Sequence, residues 1–366
     1  MKKILINVSN LHSGGGAQVA ASFIYELSKM FGNIDLKQVS VVCSTAVNLN
    51  LPETTDRSVF KCFDIINIKG FSRPKPIDKK LFDGFDICFS VFGPVYFKID
   101  VKKHVCGFAQ AWIAYPDNEA YSLLGFKDRM IYRFRFFIQK QYFKSYDQLI
   151  VEASHIKNAL LNLGFKNEIE VVNNTISSVF NESVNTKETE VNDKNVPLLG
   201  FIGKPYEHKN IKILKLVHSI LEEKYSFKCD FVFTLSHDEM NLCGFSELNA
   251  FHTVGEISLN QCPSFYERID ALIFPSLLEC FSASPIEAMK MKVPVFASDR
   301  MFVKDFCQDA AFYFEPTDPE DIAKVVFSAF QKPALMQEKK NLGENVIANL
   351  FSAQERAEAY VRQILK

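Results

Sequence analysis

The stretch Phe274-Pro275-Ser276-Leu277-Leu278-Glu279-Cys280-Phe281-Ser282-Ala283-Ser284-Pro285-Ile286-Glu287-Ala288-Met289 reads as the end of a buried strand, a loop, and the start of a helix. Ala271–Phe274 is a short apolar run without polar alternation, as expected of a strand covered on both faces. Pro285 suits a first helical position, where its missing N–H costs no hydrogen bond. The unpaired N–H groups around Ser282–Glu287, with the helix dipole, then make an anion site. After that helix, Val293–Ala297 reads as the next strand. Strand, loop, helix and strand in this order predict a parallel sheet with helical crossovers.

The same rhythm runs outward in both directions. Upstream, Leu198–Gly203, Asp230–Leu235 and Ala271–Phe274 read as strands, and Lys209–Lys224 and Leu259–Arg268 as helices. Downstream, Ile286–Met291, Asp318–Phe330 and the last ~30 residues read as helices. In the first half, Lys3–Val8, Gln38–Cys43, Asp86–Phe92, His104–Ala109, Gln148–Val151 and Glu168–Val172 read as strands, with helices at Ala17–Met30 and Ser154–Leu163. A polar stretch, Asn181 to Asn195, has the composition of a linker between the two series. The expectation is an α/β chain of two Rossmann-like, doubly wound parallel sheets facing across a cleft. Its domains are residues 1–190, residues 191–350, and a C-terminal helix, 351–366, returning to the first.

Composition excludes several classes. The chain has 366 residues, 48% apolar and 23% charged, ordinary for a globular protein and not for a disordered one. Its net charge of −1 gives no global basic footprint for nucleic acid. No apolar run approaches the ~18 residues of a membrane helix, and the start reads as a strand, not as a signal peptide. Nine scattered cysteines without a C-x-x-C pair suit a reducing cytoplasm and argue against a cysteine-zinc site. The glycine spacing is not G-x-G-x-x-G, which argues against a nicotinamide dehydrogenase.

Two glutamates eight residues apart carry little information alone, since Glu182/Glu190 and Glu239/Glu247 share that spacing. With the strand before them, the helix between them and Pro294-Val295-Phe296-Ala297-Ser298-Asp299 after them, Glu279 and Glu287 resemble the signature of the family-4 retaining glycosyltransferases, glycosyl transferases group 1. Gly200-Phe201-Ile202-Gly203-Lys204-Pro205-Tyr206-Glu207-His208-Lys209-Asn210 resembles that family's strand, glycine and pair of cations. Gly14-Gly15-Gly16-Ala17-Gln18 resembles its first-domain glycine loop, and Val151–Gly164 and Thr253–Gly255 also fit.

The resemblance implies the GT-B fold and a sugar-nucleotide donor, with no metal or other cofactor. It makes Lys204 and Lys209 the clamp on the diphosphate, Glu279 the contact to the donor sugar, and Glu287 the ribose holder. Donor binding would extend to Phe281 and Ser282 by their amides, and to Gly15, Gly16, Gly203 and Gly255. Gln110 stands where many relatives carry an acceptor-side histidine, and Trp112, the only tryptophan, offers a ring to a sugar. The usual glycine after the first glutamate is Cys280, and the usual arginine of the clamp is Lys204. No D-x-D triplet occurs, so the metal clamp of the other large transferase class has no support. The implied reaction is a front-face transfer of a sugar to a lipid-linked or oligosaccharide acceptor, as in bacterial surface polysaccharide assembly. Fixed cations and amides favour the departing diphosphate over its ground state. An epimerase or hydrolase on the same fold, or a non-catalytic partner subunit, are the alternatives.

Each of these residues also has a plain structural reading. Glu287 follows Ser284 by three, a capping-box spacing. Glu279 reads as a solvated loop acid, the two lysines as surface charges, the glycines as a flexible turn, and Trp112 as core. Lys127–Lys144, with six Lys/Arg among aromatic and aliphatic residues, reads either as a helix packed on the first domain or as one lying on an anionic membrane at the inner face of the plasma membrane.

Overall fold

The computed structural model describes residues 2–30, 32, 34–181 and 196–366. The expected boundary near 190, and all of the expected linker but Asn181, lie outside the described residues. The chain forms two compact units. One comprises Met1–Pro116, Phe126–Ser177 and Phe351–Lys366, and the other Asp117–Gly125 and Ser178–Leu350.

The first unit is built on a parallel sheet of seven strands. They are β1 (Ile4–Val8), β2 (Val39–Cys43), β3 (Cys62–Ile65), β4 (Ile87–Ser90), β5 (Lys103–Phe108), β6 (Gln148–Val151) and β7 (Glu168–Val171), in the spatial order β3-β2-β1-β4-β5-β6-β7. The second unit holds a parallel sheet of six: β8 (Leu198–Phe201), β9 (Asp230–Phe233), β10 (Phe251–Thr253), β11 (Ala271–Phe274), β12 (Val295–Ser298) and β13 (Ala311–Phe314), ordered β10-β9-β8-β11-β12-β13. Both sheets reverse direction of winding at their first strand, between β1 and β4 and between β8 and β11. That is the doubly wound arrangement, whose ligand crevice opens outside the carboxyl ends of the strands at the reversal. Strands β1, β2, β4, β6, β8, β11 and β12 are buried along their whole length, which explains their mainly apolar composition.

Strands β3, β10 and β13 depart from the sequence expectation, which had no strand there. All three are sheet edges. Residues of β3 are exposed or half-buried, so no apolar pattern marks them. β10 has three residues, too few to show a period. Gly200 in β8 has no room for a side chain, because a Cβ there would stand 2.6 Å from Ile269 Cδ1 and 2.7 Å from Ile269 Cγ2. Phe265 Cζ, from the Cys262–Tyr266 helix, would stand 3.1 Å from the same Cβ, so sheet and helix approach closely there.

The helix after β1 runs Gly14–Ser28, so the triple glycine is its first turn and not a loop ahead of it. The C-terminal helix Ala353–Leu365 packs against it, with the Phe23 and Tyr360 rings edge-on at 5.3 Å. All nine cysteines are free thiols, and only Cys62 is exposed.

Candidate active site

Three loops at the carboxyl ends of β8, β9 and β10 converge on Lys204. Gly203, with φ +140° in a region that excludes most side chains, donates its N–H to Thr234 Oγ1 at 3.0 Å. Lys204 Nζ then donates to Glu239 Oε1 at 3.0 Å and to Glu256 Oε1. Glu239 is fixed by a capping box: Ser236 N–H donates to Glu239 Oε2 at 2.9 Å, and Glu239 N–H to Ser236 Oγ at 3.2 Å. Gly255, at φ +76°, turns the β10 loop and donates its N–H to Thr253 Oγ1 at 2.9 Å, which brings Glu256 to the lysine. Burial works against the Lys204 charge, but the hydrogen bonds to Glu256 and Glu239 outweigh it and hold the ammonium above its ordinary range.

A second pair joins the loops after β8 and β11, at the reversal of the sheet. Lys209 ends a 3₁₀ turn, Glu207–Lys209, and the helix proper begins only at Leu214, later than the expected start at Lys209. Between them Asn210 is left-handed (φ 54°) and donates its side-chain amide to Pro316 O at 2.7 Å, anchoring the turn. Leu277 N–H donates to His208 O at 2.8 Å and ties the two loops together. Across that tie, Lys209 Nζ is ion-paired with Glu279 Oε1, with side-chain exposures of 14% and 12%. Lys209 Nζ also lies 5.3 Å from the centre of the Phe274 ring. His208 is pushed down to about 4 by burial, so its imidazole is neutral at pH 7.

Glu287 is set apart from both pairs. Its helix spans Ala283–Lys290, with Ser282 as the extended N-cap residue. Pro285 therefore sits inside the first turn, not at its first position. The expected Ser284–Glu287 capping box is absent, because the Glu287 carboxyl is turned inward and buried. There Tyr266 O–H, fully buried, donates to Glu287 Oε2 at 2.9 Å and stands 3.2 Å from Ser284 O. Burial pushes the carboxyl up to about 7, although the Tyr266 hydrogen bond pulls the other way. Phe281 is buried edge-on against Phe306 at 4.4 Å, and Cys280 beside it is buried too.

The remaining expected residues belong to the first unit. Gly15 and Gly16 lie in the opening turn of the Gly14–Ser28 helix. A Cβ at Gly15 would meet open space, and one at Gly16 would stand 3.5 Å from Phe92 Cδ2, an ordinary contact. Gln110 is half-buried and precedes the short Ala111–Ala114 helix. Trp112 corrects an expectation. Its ring is buried, stacked on Phe136 at 5.6 Å and edge-on to Tyr132 at 5.2 Å, so its face belongs to the core and is not offered to a sugar.

Sequence reasoning did not find Glu239, Glu256 or Tyr266. Ser236-x-x-Glu239 has capping-box spacing, and that signal was available. Nothing local marks Glu256 or Tyr266. Also unforeseen is the fork of Arg300, after β12. Its Nε and Nη2 reach Glu119 Oε1 and Oε2 at 2.5 and 2.8 Å, and its Nη1 and Nη2 reach Glu315 Oε2 and Oε1 at 3.0 and 2.8 Å. Glu315 is held at about 2 by Arg300.

Among known proteins, a family model described as glycosyl transferases group 1 matches residues 184–348. The O-antigen chain mannosyltransferase RfbU of Salmonella typhimurium is 24% identical over 205 residues, covering 54% of this chain and 57% of that protein. The serotype-specific mannosyltransferase WbdA of Escherichia coli is 44% identical over 61 residues, 17% of this chain and 8% of that protein. The chain thus spans little more than half of the first of these relatives and a small part of the second. Sucrose-phosphate synthase from Thermosynechococcus elongatus superposes with a TM-score of 0.66 at 12% identity, covering 100% of this chain and 99% of that one. That likeness establishes the fold, two Rossmann-like parallel-sheet domains of the GT-B class. Residues 184–348, which carry Lys204, Lys209, Glu279 and Glu287, are thus similar to the group 1 glycosyl transferases.

Proposed function

We propose that this protein is a retaining glycosyltransferase that works without a metal ion. It moves a sugar from a nucleotide-diphosphate sugar to a lipid-linked or oligosaccharide acceptor during assembly of a bacterial surface polysaccharide. The observation that carries this reading is the Lys209–Glu279 pair at the reversal of the second sheet, with Lys204 on the same β8 loop. A cation and a carboxylate at that place serve the two ends of a sugar nucleotide.

In this reading the bond from the anomeric carbon to the diphosphate oxygen breaks as the acceptor oxygen forms its bond on the same face. The departing phosphate takes the acceptor's proton. Lys204, Lys209 and the amides that open the Ala283–Lys290 helix stabilise the growing negative charge, with Phe281 and Ser282 at its entrance. Glu279 contacts the donor sugar and Glu287 the ribose. The donor must compete with Glu256 and Glu239 for Lys204, and with Glu279 for Lys209. The names of RfbU and WbdA make mannose the first donor sugar to try.

The membrane is the second partner in this reading. No helix among the described residues is long and apolar enough to cross a bilayer. The helix Phe126–Lys144, however, turns Phe126, Met130, Phe134 and Phe137 outward among basic side chains, which supports attachment to an anionic surface such as the inner leaflet.

A thermal-shift panel with UDP, GDP, dTDP and CDP, with and without EDTA, tests the donor site. A millimolar diphosphate of micromolar affinity stabilises by about 4 kcal/mol, enough for a clear shift. One nucleotide shifting alone and unaffected by EDTA supports the reading and names the donor class. No shift with any of the four counts against it.

A further inference from the structure

The Glu287–Tyr266 contact has no place in the clamp just described. A carboxylate this deep ordinarily has a cation beside it, because an uncompensated buried charge is costly. Here the titratable side chains that face Glu287 among the described residues are Tyr266 and Cys262, both on the preceding Cys262–Tyr266 helix and neither cationic. Tyr266 O–H reaches Glu287 Oε2 at 2.9 Å. It also lies 3.2 Å from Ser284 O, in the first turn of the helix that carries Glu287. Tyr266 has no exposed surface, and the Phe180 ring packs against it at 6.0 Å. The hydroxyl thus holds the carboxyl beside the turn that presents it.

We propose that Tyr266 is a positioning residue for the donor. It holds one oxygen of Glu287 so that the carboxylate stays ionised and aimed to accept from the hydroxyls of a nucleotide ribose. This rests on the reading of Glu287 as the ribose holder. The ionised carboxylate accepts from the hydroxyls of a vicinal diol more strongly than the neutral acid, so ribonucleotide affinity falls as the pH drops through the range near 7 where Glu287 gains its proton. The Tyr266 hydrogen bond favours the ionised form. Without it, protonation moves to higher pH, and the loss of affinity moves with it.

The test is calorimetric binding by the full chain of whichever of UDP, GDP and CDP binds, and of its 2′-deoxy counterpart, between pH 5.5 and 8.5. Wild type, Tyr266→Phe and Glu287→Gln are compared. Wild type is expected to prefer the ribonucleotide, with the preference fading toward acid pH. Tyr266→Phe is expected to bind it about tenfold more weakly at pH 7, with its acid limb displaced upward. Glu287→Gln is expected to lose both the preference and its pH dependence. Wild-type affinity and limb in Tyr266→Phe, beside a weakened Glu287→Gln, overturn the role of Tyr266 alone. Undiminished binding by Glu287→Gln, or no ribonucleotide binding by wild type, overturns the ribose reading and the proposal with it. Should Tyr266→Phe fail to fold, the wild-type profile decides: a preference unchanged from pH 8.5 to 5.5 refutes the proposal.

Discussion

Lys209 and Glu279 form an ion pair that joins the loops following β8 and β11, and both side chains are largely buried there. In the free protein the pair holds two loops together. In the proposed donor complex each partner would turn to a different end of the sugar nucleotide. Lys209→Ala is therefore expected to keep its fold and to lose about 10²–10³ in turnover, the usual effect of removing one donor to a developing oxyanion. The removal also leaves Glu279 buried without its counter-charge, so stability falls. The double variant Lys209→Ala/Glu279→Gln separates the two effects. It is expected to regain thermal stability and none of the turnover. Turnover restored with the stability would make the pair a structural strut and nothing more.

Glu287 supplies a prediction of opposite sign. Its carboxyl is pushed up to about 7 in the folded protein from an ordinary value of 4.5. Between those values the folded chain binds a proton that the unfolded chain has lost. Stability due to this group is thus highest below 4.5, declines as the pH rises to about 7, and stays reduced above it. Glu287→Gln keeps the shape and removes the charge. It is expected to unfold at a higher temperature than wild type at pH 8, by on the order of 3 kcal/mol at most, and at the same temperature at pH 4. An identical difference at both pH values would show that the carboxyl is not buried in its charged form. Such a gain, set beside weaker donor binding, is the stability cost of a functional carboxylate.

Arg356 anchors the C-terminal helix inside the first unit. It is fully buried, donating through Nη2 to Ser22 Oγ at 2.8 Å and through Nη1 to Asn174 Oδ1. Asn174 in turn donates to Glu152 Oε1 at 2.5 Å. Burial lowers the guanidinium's hold on its proton, and the carboxylates of Glu152 and Glu26 work to restore it. Breaking such a buried network costs about 3–5 kcal/mol. Arg356→Ala is expected to lower the unfolding free energy of the first unit by that amount, and the urea midpoint with it, followed by fluorescence of Trp112, the only tryptophan, which lies in that unit's core. An unchanged midpoint would mean that the helix docks through Tyr360 and its apolar neighbours alone.

The fold was legible because its central strands are buried on both faces. Ile4–Val8 or Ala271–Phe274 can hardly be anything but parallel-sheet strands. What escaped was at the margins: Cys62–Ile65 is half in solvent, and Phe251–Thr253 is shorter than any period. For the site, the charged residues were legible only through their context between a strand and a helix. Their partners were not. Ser284 and Glu287 have the same spacing as Ser236 and Glu239, yet only the second pair caps its helix. The difference lies in position and burial: Ser236 is the N-cap of its helix with Glu239 part-exposed in the first turn, whereas Ser284 already lies inside its helix and Glu287 is buried against Tyr266. A local pattern cannot report a contact made by a side chain from another helix. The sequence left Trp112 between a ring for a sugar and a core residue for the same reason, since its neighbours Tyr132 and Phe136 arrive from the following helix.

The Phe126–Lys144 helix has two apolar sides. Phe136, Gln139 and Phe143 face the core of the first unit. Phe126, Met130, Phe134 and Phe137 are 81%, 54%, 67% and 61% exposed. At 100° per residue the four share one narrow stripe, roughly 145° around the helix from the core-facing side. Lys127, Arg133 and Lys144 flank or end that stripe, and each is exposed. A monomeric protein in water has no use for four large apolar side chains in a row. An anionic bilayer suits them, with the rings entering the headgroup boundary and each basic residue adding about 1 kcal/mol near the surface. The chain is expected to float with phosphatidylglycerol-containing vesicles, and less so as salt rises. Phe134→Ser/Phe137→Ser is expected to release it at any salt, and Arg133→Glu to release it chiefly from the anionic vesicles, with the nucleotide-induced thermal shift of each variant unchanged. Equal binding to neutral and anionic vesicles at low salt would remove the electrostatic half of the argument. Flotation undiminished by the double serine variant would remove the apolar half, and the stripe would then have to meet a protein.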